Sequence, residues 1–443
     1  MSAPTADLLL TGRFVLPMDT KKTVIKDGGA AIGGDTLLAV DTTAELLRRY
    51  PQAEVLHEPH GLIMPGLVNV HTHAAMALFR GLADDLPLMQ WLQDYIFPVE
   101  ASLTGELVYQ GSLLSICEMI RSGTTSFCDM YLFADEVAQA AAKAGIRAWV
   151  GEVLYDFPSP NYGESANGLA CTKDLFARWR NHPLITVTVD PHAVYTCSPD
   201  LLTELGGMAR DEGALYVIHL AENAEEVRIC RERYGCTPVE HLEALGLLGP
   251  HVVADHCVML TATEIALLAE RGVKVAHCPE SNLKLASGIA PVAEMLAAGI
   301  TVGIGTDGSA SNNDVDMFGE MNTAAKIQKF RCMDPTAMSA DLTLTAATSG
   351  GAKVLGAEAC IGSLEPGKKA DCIVVDFDQP HLTPVYHPIS HLVYAARGAD
   401  VLHSVINGQV VMRNRELLTI DEKAVLAHAA EIGARFRRLC NGG

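Results

Sequence analysis

Two histidines spaced two residues apart are the first residues in this 443-residue chain that could do chemistry. His71 and His73 follow the apolar run 67–70, which stands behind Pro65 and Gly66 and is typical of a short buried strand. Side chains alternate along a strand, so both imidazoles can point the same way and reach one metal ion. The alternative is a pair of hydrogen-bonded histidines at a loop edge, and a single His-x-His motif does not decide between the two.

A third imidazole and a carboxylate could complete a zinc site. His219 ends a later apolar run, and Asp307 follows another run in a loop rich in Gly, Ser and Asn. Imidazole nitrogen and carboxylate oxygen suit zinc, and a catalytic zinc keeps one position open for a water whose pKa it lowers towards neutrality. Asp307 alone would be typical of a turn or a helix cap. Together with His71, His73 and His219, it is predicted to be a ligand.

Side chains that could move protons follow the same kind of apolar run. Glu222 stands three residues after His219 and could act as general acid and base, although a glutamate there would also suit the first turn of the next helix. His256 ends a further run and could bond the water or polarise the substrate. His277 ends the next run and could do likewise, although we favour a structural histidine of the core. His192 lies just past the fourth run.

The elements that must position these side chains are short apolar runs that alternate with helical stretches. The runs lie at residues 67–70, 124–128, 148–153, 185–189, 215–219, 252–256, 273–277 and 301–304. Helical patterns lie between them at residues 105–121, 134–144, 199–212, 224–234, 262–270 and 292–298. Eight strands that alternate with helices predict an α/β fold, a closed (β/α)8 barrel with its active site at the C-terminal ends of the strands. An open doubly wound sheet is the weaker alternative, because no Gly-x-Gly-x-x-Gly turn follows the first strand.

The two ends of the chain have a different pattern. Residues from about 6 to 62 predict short strands and turns, with too few apolar residues for a core of their own. After the barrel come an apolar strand and a hairpin, whose turn is Asn407-Gly408. We therefore expect a barrel domain over residues 63–361 and a small, discontinuous β-sandwich domain over residues 1–62 and 362–443.

Charge and composition argue against several classes of protein. The formal net charge of −20 at pH 7 is unsuited to a nucleic-acid ligand or an anionic membrane surface. No apolar stretch reaches transmembrane length, and the N-terminus lacks the plan of a secretion signal. The twelve cysteines form no CxxC pair, which argues against a finger-type zinc site and predicts a reduced, cytoplasmic setting.

Six segments of the chain together resemble the amidohydrolase superfamily and, within it, the 5-methylthioadenosine/S-adenosylhomocysteine deaminase family. They are PGLVNVHTHAAM, EMIRSGTTSFCDMY, PHAVYTCSP, IHLAEN, HCPESNLKLASGIAPV and GTDGSASNN. The resemblance implies a barrel with a β-sandwich formed by both termini, one zinc ion per subunit, a homo-oligomer, and hydrolytic loss of the 6-amino group from a 5-substituted adenosine. Related barrels with two metals carry a modified lysine at the end of the fourth strand. This chain has no lysine there, which favours one metal.

The resemblance also implies the roles of the reacting groups. The zinc ligands fall on His71, His73, His219 and Asp307. Glu222 relays a proton to N1 of the purine, Asp307 passes one to the leaving ammonia, and His256 steadies the tetrahedral centre. Glu222 and Asp307 would therefore contact the substrate as well.

Three further residues are implied to hold the substrate. Glu100 would accept hydrogen bonds from the two ribose hydroxyls, as a carboxylate can from a cis-diol. Trp91 resembles the pocket tryptophan of the family, and His192 resembles the histidine that contacts the purine ring. From pattern alone, Glu100 would be a solvated helix end and Trp91 a packed core aromatic.

One segment departs from the family pattern. Some members carry arginines after the third strand that hold the amino-acid carboxylate of S-adenosylhomocysteine, but residues 151–174 contain no arginine here, and Lys173 is the only cation. A site that lacks a partner for a charged substrate group disfavours that substrate. We therefore expect methylthioadenosine, or another neutral 5-substituted adenosine, to be preferred over S-adenosylhomocysteine.

Two other functions remain open from the sequence. The same scaffold could deaminate or dechlorinate another heterocycle, such as guanine, a cytosine or a triazine, and a fold-level likeness does not exclude this. A relative that kept the barrel and lost its metal is the other alternative. It should lack ligands, whereas this chain has all of those that the family uses.

Overall fold

The N-terminal strands form part of a sheet that both ends of the chain build. The computed structural model describes residues 5–21, 23–86 and 90–441. Its first strands are β1 (Leu8–Val15), β2 (Ile25–Gly33), β3 (Thr36–Thr42) and β4 (Glu54–Pro65), and helix α1 (Thr43–Arg49) follows β3. Strand β1 pairs antiparallel with β2 and parallel with β4. Strand β4 leads directly into the barrel.

The eight predicted apolar runs form the strands of a parallel barrel. These strands are β5 (Leu67–Thr72), β6 (Thr124–Tyr131), β7 (Arg147–Leu154), β8 (Ile185–Val187) with its short continuation β9 (Asp190–Pro191), β10 (Tyr216–Leu220), β11 (Val252–His256), β12 (Lys274–His277) and β13 (Val302–Ile304). Strands β5 to β8 pair in sequence order, and so do β10 to β13. Backbone bonds join these halves on both sides: on one side Val217 N–H donates to the Val189 carbonyl, and on the other Asp307 N–H donates to the His71 carbonyl, each at 3.0 Å. The predicted (β/α)8 fold class is confirmed.

Helices surround the barrel and connect its strands. They are α2 (Phe97–Glu100), α3 (Gly105–Arg121), α4 (Ala134–Ala144), α5 (Ser165–Trp179), α6 (Pro199–Glu212), α7 (Ala224–Tyr234), α8 (Pro238–Ala244), α9 (Ala262–Arg271), α10 (Pro279–Lys284), α11 (Val292–Ala297), α12 (Met317–Cys332), α13 (Ala340–Ala346), α14 (Ser349–Val354), α15 (Pro388–Tyr394) and α16 (Glu422–Asn441). Side-chain caps at Thr104, Ser198, Asn223 and Thr261 explain why α3, α6, α7 and α9 begin where the sequence predicted. Over the described part of the chain, no helix is both long and apolar enough to cross a membrane.

The C-terminal strands complete the sheet that β1 begins. Strands β14 (Cys372–Asp376), β15 (Val401–Ile406), β16 (Gln409–Arg413) and β17 (Glu416–Leu417) follow the barrel. Asn407 and Gly408 both have positive φ, 50° and 79°, as a two-residue hairpin turn between β15 and β16 requires. Strand β14 pairs antiparallel with β4, which gives the strand order β17-β16-β15-β14-β4-β1-β2-β3. Both ends therefore contribute to one sheet, while the domain boundaries at residues 62 and 362 stay a prediction.

Gly66 joins this sheet to the first barrel strand. A Cβ atom at Gly66 would lie 2.0 Å from the Thr125 hydroxyl oxygen, so a larger residue would push β5 away from β6. The close approach fixes the position of β5, which is buried along its whole length. His71, near the end of β5, is thereby held at the C-terminal mouth of the barrel.

Candidate active site

The four predicted metal ligands come together at the C-terminal mouth of the barrel. The ring centre of His71 lies 4.8 Å from that of His73 and 5.1 Å from that of His219. Asp307 lies in the loop after β13, and its Oδ1 is 3.2 Å from His73 Nε2 and 3.7 Å from His71 Nε2. Three strands that are far apart in the sequence thus supply one compact group.

An oxygen atom lies behind each of the three imidazoles. The Nδ1 atom of His73 donates to the Met130 carbonyl at 2.5 Å, and that of His219 donates to the His192 carbonyl at 2.8 Å. The Nδ1 atom of His71 lies 3.1 Å from a carboxylate oxygen of Asp255, and both side chains are fully buried. Each Nδ1 therefore faces an oxygen, and each Nε2 is left to face the centre of the group. Such outer acceptors are common behind metal-binding histidines.

The chemistry of the group fits a metal ion. The Nε2 atom of His71 is buried with no hydrogen-bond partner among the described residues. The Nε2 atoms of His73 and His219 are only 3.4 Å apart, so two lone pairs would repel unless a cation or a proton lay between them. A carboxylate completes a set of nitrogen and oxygen donors that suits zinc. His71, His73, His219 and Asp307 could thus hold the ion.

Asp307 is ionised in this arrangement. Burial alone would raise its pKa, but the hydrogen bond with His73 and the neighbouring imidazoles lower the pKa well below its ordinary value. Its backbone has φ of 61°, in the left-handed region that few side-chain-bearing residues adopt. Strain of this kind is kept where the surrounding structure requires a side chain to point in one direction. Here that direction is towards His73.

Glu222 lies in the short link between β10 and α7 and is buried against the same centre. Burial, helped by Asp307 and Glu226, raises the pKa of Glu222 to about 8. Glu222 is not in the first turn of α7, which the sequence left open for it: that turn follows the cap Asn223 and contains Glu226, which accepts from the backbone N–H groups of Ala221 at 3.0 Å and Glu222 at 2.8 Å. Glu222 is therefore free to face the cavity, with a pKa suited to gaining and losing a proton.

His256 lies beside the predicted ligands at the end of β11. A ring nitrogen of His256, one of His71 and a carboxylate oxygen of Asp307 lie within 4.8 Å of one another. Its Nδ1 atom is 3.0 Å from the side-chain nitrogen of Asn282. Burial lowers the pKa of His256 to about 3, so its imidazole is neutral.

One cavity contains all of the predicted catalytic and substrate-binding side chains. It encloses about 800 Å³, counting its open mouth. Glu100 lines it at the end of α2, where its Oε1 accepts a hydrogen bond of 2.7 Å from the Tyr131 hydroxyl. Burial raises the pKa of Glu100 to about 7. The Tyr131 ring is 6.0 Å from that of His73, so Tyr131 links the carboxylate to the histidine group. Sequence reasoning did not identify Tyr131.

Trp91 and His192 line the same cavity. Trp91 begins a single turn of π-helix, Trp91–Ile96, a rare conformation that is frequent at functional sites. Its ring is 6% exposed and its Nε1 donates to the Ala83 carbonyl at 3.1 Å, so it is both a packed aromatic and a cavity wall. His192 is hydrogen-bonded through Nδ1 to the Thr196 hydroxyl at 2.9 Å.

Two residues whose roles the sequence left open, His277 and Lys173, lie outside the cavity. His277 is buried at the end of β12 and does not line the cavity, so its structural role stays a prediction. Lys173 is exposed on α5 and does not line the cavity either. The described lining residues include neither lysine nor arginine.

Comparison with known proteins identifies the family. The model of the amidohydrolase family matches residues 62–411. The 5-methylthioadenosine/S-adenosylhomocysteine deaminase of Syntrophobacter fumaroxidans is 55% identical over 99% of this chain and 100% of its own length. The 5'-deoxyadenosine deaminase of Methanosarcina mazei is 44% identical over 96% of this chain and 97% of its own.

Solved structures agree with this. A crystal structure of an adenosine deaminase from Xanthomonas campestris with bound zinc has a TM-score of 0.96 and 42% identity, and it covers 98% of this chain and 99% of the other. A zinc complex of atrazine chlorohydrolase from Arthrobacter aurescens, 24% identical with a TM-score of 0.88, covers 96% of this chain and all of the other, and shares the fold. The resemblance seen in the sequence motifs is confirmed, and the chain belongs to the amidohydrolase family.

Proposed function

We propose that the protein is a zinc-dependent deaminase that hydrolyses the 6-amino group of 5'-substituted adenosines and releases ammonia. The observation that carries this proposal is that one cavity contains both a histidine and aspartate group suited to a metal and a separate buried carboxylate, Glu100, suited to a ribose. The similarity to deaminases of methylthioadenosine and 5'-deoxyadenosine supports it. One zinc per subunit, a homo-oligomer and a cytoplasmic setting belong to the same proposal.

The protein side chains would divide the proton transfers among them. Zinc held by His71, His73, His219 and Asp307 would supply a Lewis acid that lowers the pKa of water. Glu222, with a pKa near neutrality, would take a proton from the attacking water and give it to N1 of the purine. The ionised Asp307 would accept the second proton of that water and pass it to the amino nitrogen as the C6–N bond breaks, which releases ammonia. His256 would donate a hydrogen bond to the developing tetrahedral centre.

The ribose would be held by Glu100, which predicts a selective effect of its substitution. In Glu100→Gln, one of the two charge-assisted bonds to the hydroxyls is lost and the other weakened. We expect kcat/KM for methylthioadenosine to fall roughly 100-fold, because a hydrogen bond to a charged group contributes about 1.5–3 kcal/mol. Steady-state kinetics on both proteins measure this.

An exposed carboxylate in the π-helical turn that precedes α2 provides the control. Asp94 is exposed and does not line the cavity, so Asp94→Asn should leave kcat/KM unchanged. If Glu100→Gln were as active as Asp94→Asn on ribosides, the ribose assignment would be wrong. The substrate would then be sought among free bases such as guanine or cytosine, and among triazines.

The cavity wall after the third barrel strand suits an apolar 5' group. The ring of Tyr155 stacks on that of Phe157 with centres 3.8 Å apart, and Phe97 stands 6.1 Å from Phe157. These aromatic residues line the same cavity as Glu100. A charged amino-acid group would meet no cation among the described lining residues, and an unpaired buried charge is costly.

The aromatic cavity wall, which has no cation among its described residues, predicts a preference between two substrates. With zinc-loaded protein, we expect methylthioadenosine to be converted with a kcat/KM at least about tenfold above that of S-adenosylhomocysteine, since a site without a partner for a charged group rejects it. The ultraviolet shift from adenine to hypoxanthine follows the reaction, with adenosine as a third substrate. A preference for S-adenosylhomocysteine would contradict the inference. No conversion of any adenosine, with zinc bound, would contradict the proposed function.

A further inference from the structure

The site contains more imidazoles than the predicted metal centre uses. His71 belongs to two overlapping groups of potential ligands, one with His73 and His219 and the other with His256 and Asp307. The ligand atoms within each group lie within 4.8 Å of one another. Distance alone therefore does not decide whether His256 binds the metal or acts beside it.

Hydrogen-bond partners separate His256 from the other three imidazoles. Behind His71, His73 and His219, Nδ1 faces an oxygen atom, so Nδ1 carries a hydrogen and Nε2 is the nitrogen left for a metal ion. Behind His256, Nδ1 faces the side-chain nitrogen of Asn282 at 3.0 Å, which is a donor. In a neutral imidazole, an Nδ1 that accepts leaves the hydrogen on Nε2.

We propose that Asn282 is a positioning residue that holds His256 as its Nε2–H tautomer, which keeps His256 out of the metal coordination and makes it a hydrogen-bond donor in the cavity. The donor role rests on the proposed deaminase function, whereas the tautomer and the coordination do not. A protonated Nε2 has no lone pair to give to a metal.

The charges around His256 favour the same tautomer. A carboxylate oxygen of Asp307 lies within 4.8 Å of a ring nitrogen of His256, and an oxygen acceptor there attracts an N–H, whereas it would repel a lone pair. Nitrogen lone pairs of the neighbouring imidazoles would also repel a lone pair on Nε2 of His256, so they too favour a hydrogen on that atom. The opposite orientation of the Asn282 amide would place a fourth imidazole lone pair in this group.

The backbone of Asn282 is held by hydrogen bonds in a buried turn, which places its side chain behind His256. It is 1% exposed on α10, its backbone N–H donates to the Cys278 carbonyl at 3.1 Å, and its carbonyl accepts from Ser287 at 2.9 Å. The preceding residue, Ser281, donates its hydroxyl to Oδ2 of Asp307 at 2.6 Å, which leaves Oδ1 towards His73. One buried helical turn thus contacts both Asp307, a predicted ligand, and His256, which lies beside the predicted ligands.

The first test reads the tautomer directly in the unmodified protein. Zinc-loaded protein containing ¹⁵N-labelled histidine would be studied by long-range ¹H–¹⁵N correlation, with the His256 signals assigned by their loss in His256→Gln. We expect a neutral ring with its hydrogen on Nε2. A hydrogen on Nδ1 would overturn the proposal. This readout needs no Asn282 variant and no substrate.

The second test uses cobalt(II) in place of zinc, because its visible spectrum reports the ligands. Asn282→Asp places an acceptor behind Nδ1, reverses the tautomer and frees the Nε2 lone pair. We expect the cobalt spectrum to change in Asn282→Asp and to return to that of the wild type in Asn282→Asp/His256→Gln. His256→Gln alone should leave the cobalt spectrum as it is.

The control introduces a carboxylate nearby without touching His256. Asn223 caps α7, and Asp is an equally good cap, so Asn223→Asp should retain the wild-type spectrum. An unchanged spectrum in Asn282→Asp, or a change that survives in the double variant, would overturn the proposal. An inactive but correctly metallated protein would instead count against the proposed deaminase function.

Discussion

Replacing Glu222 by glutamine should lower kcat for methylthioadenosine by about 10²–10⁴-fold, the range that a positioned general acid and base contributes. Glutamine keeps the shape of the side chain but neither accepts nor releases a proton. The pKa of Glu222, raised to about 8, lies close to the pH at which the proton must be both taken up and given away. Single-turnover kinetics would separate this chemical step from product release.

A second glutamate close to Glu222 serves as the control. Glu225 is exposed at the start of α7 and paired with Arg228 at 2.6 Å, so Glu225→Gln should keep nearly full activity. Both variants should retain the zinc content of the wild type, since neither residue is a predicted ligand. An active Glu222→Gln would mean that another group carries the proton.

Removal of the metal should abolish deamination, and one equivalent of zinc per subunit should restore it. The Nε2 atoms of His73 and His219 are 3.4 Å apart. Without a metal ion, only a proton could offset the repulsion between their lone pairs. We also expect the melting temperature to fall on removal, because a ligand that binds only the folded state at 1,000 times its Kd stabilises by about 4 kcal/mol. Metal analysis, activity titration and thermal melting after dialysis against a chelator measure these effects.

Two buried histidines at the ends of different barrel strands give a matched comparison. His71→Gln should lose the zinc, because His71 lies in the group of predicted ligands. His277→Gln should retain it, because His277 is equally buried but does not line the cavity. Retention of zinc by His71→Gln would refute the ligand set. A requirement for two equivalents would show a binuclear site.

The sequence predicted the barrel well because two periodic signals agree there. Apolar runs of strand length alternate with helical stretches, and capping residues such as Thr104 and Thr261 mark where helices begin. The positions of His71 and His219 at strand ends followed from the same alternation. The fourth strand is less regular than predicted, since β8 ends at Val187 and the chain resumes pairing at Asp190.

The residues that contact and orient the side chains of the site could not be predicted from periodic patterns. Asp255, Tyr131, Ser281 and Asn282 act through contacts between elements distant in sequence, such as the 2.7 Å bond from Tyr131 to Glu100. No periodicity or spacing encodes such a contact. Asp255 was visible only as the residue before His256, on a strand whose two faces are both buried.

The pairing of β14 with β4 has a consequence for synthesis of the chain. Pro65 at the end of β4 pairs with Cys372, so a ribosome making about 5–20 residues per second needs roughly 15–60 s to supply the partner strand. During that time one edge of β4 has exposed N–H and C=O groups, which can pair with another nascent chain. Slower elongation should therefore increase the yield lost to aggregates. A circular permutant in which β14 to β17 precede β1 should reduce that loss.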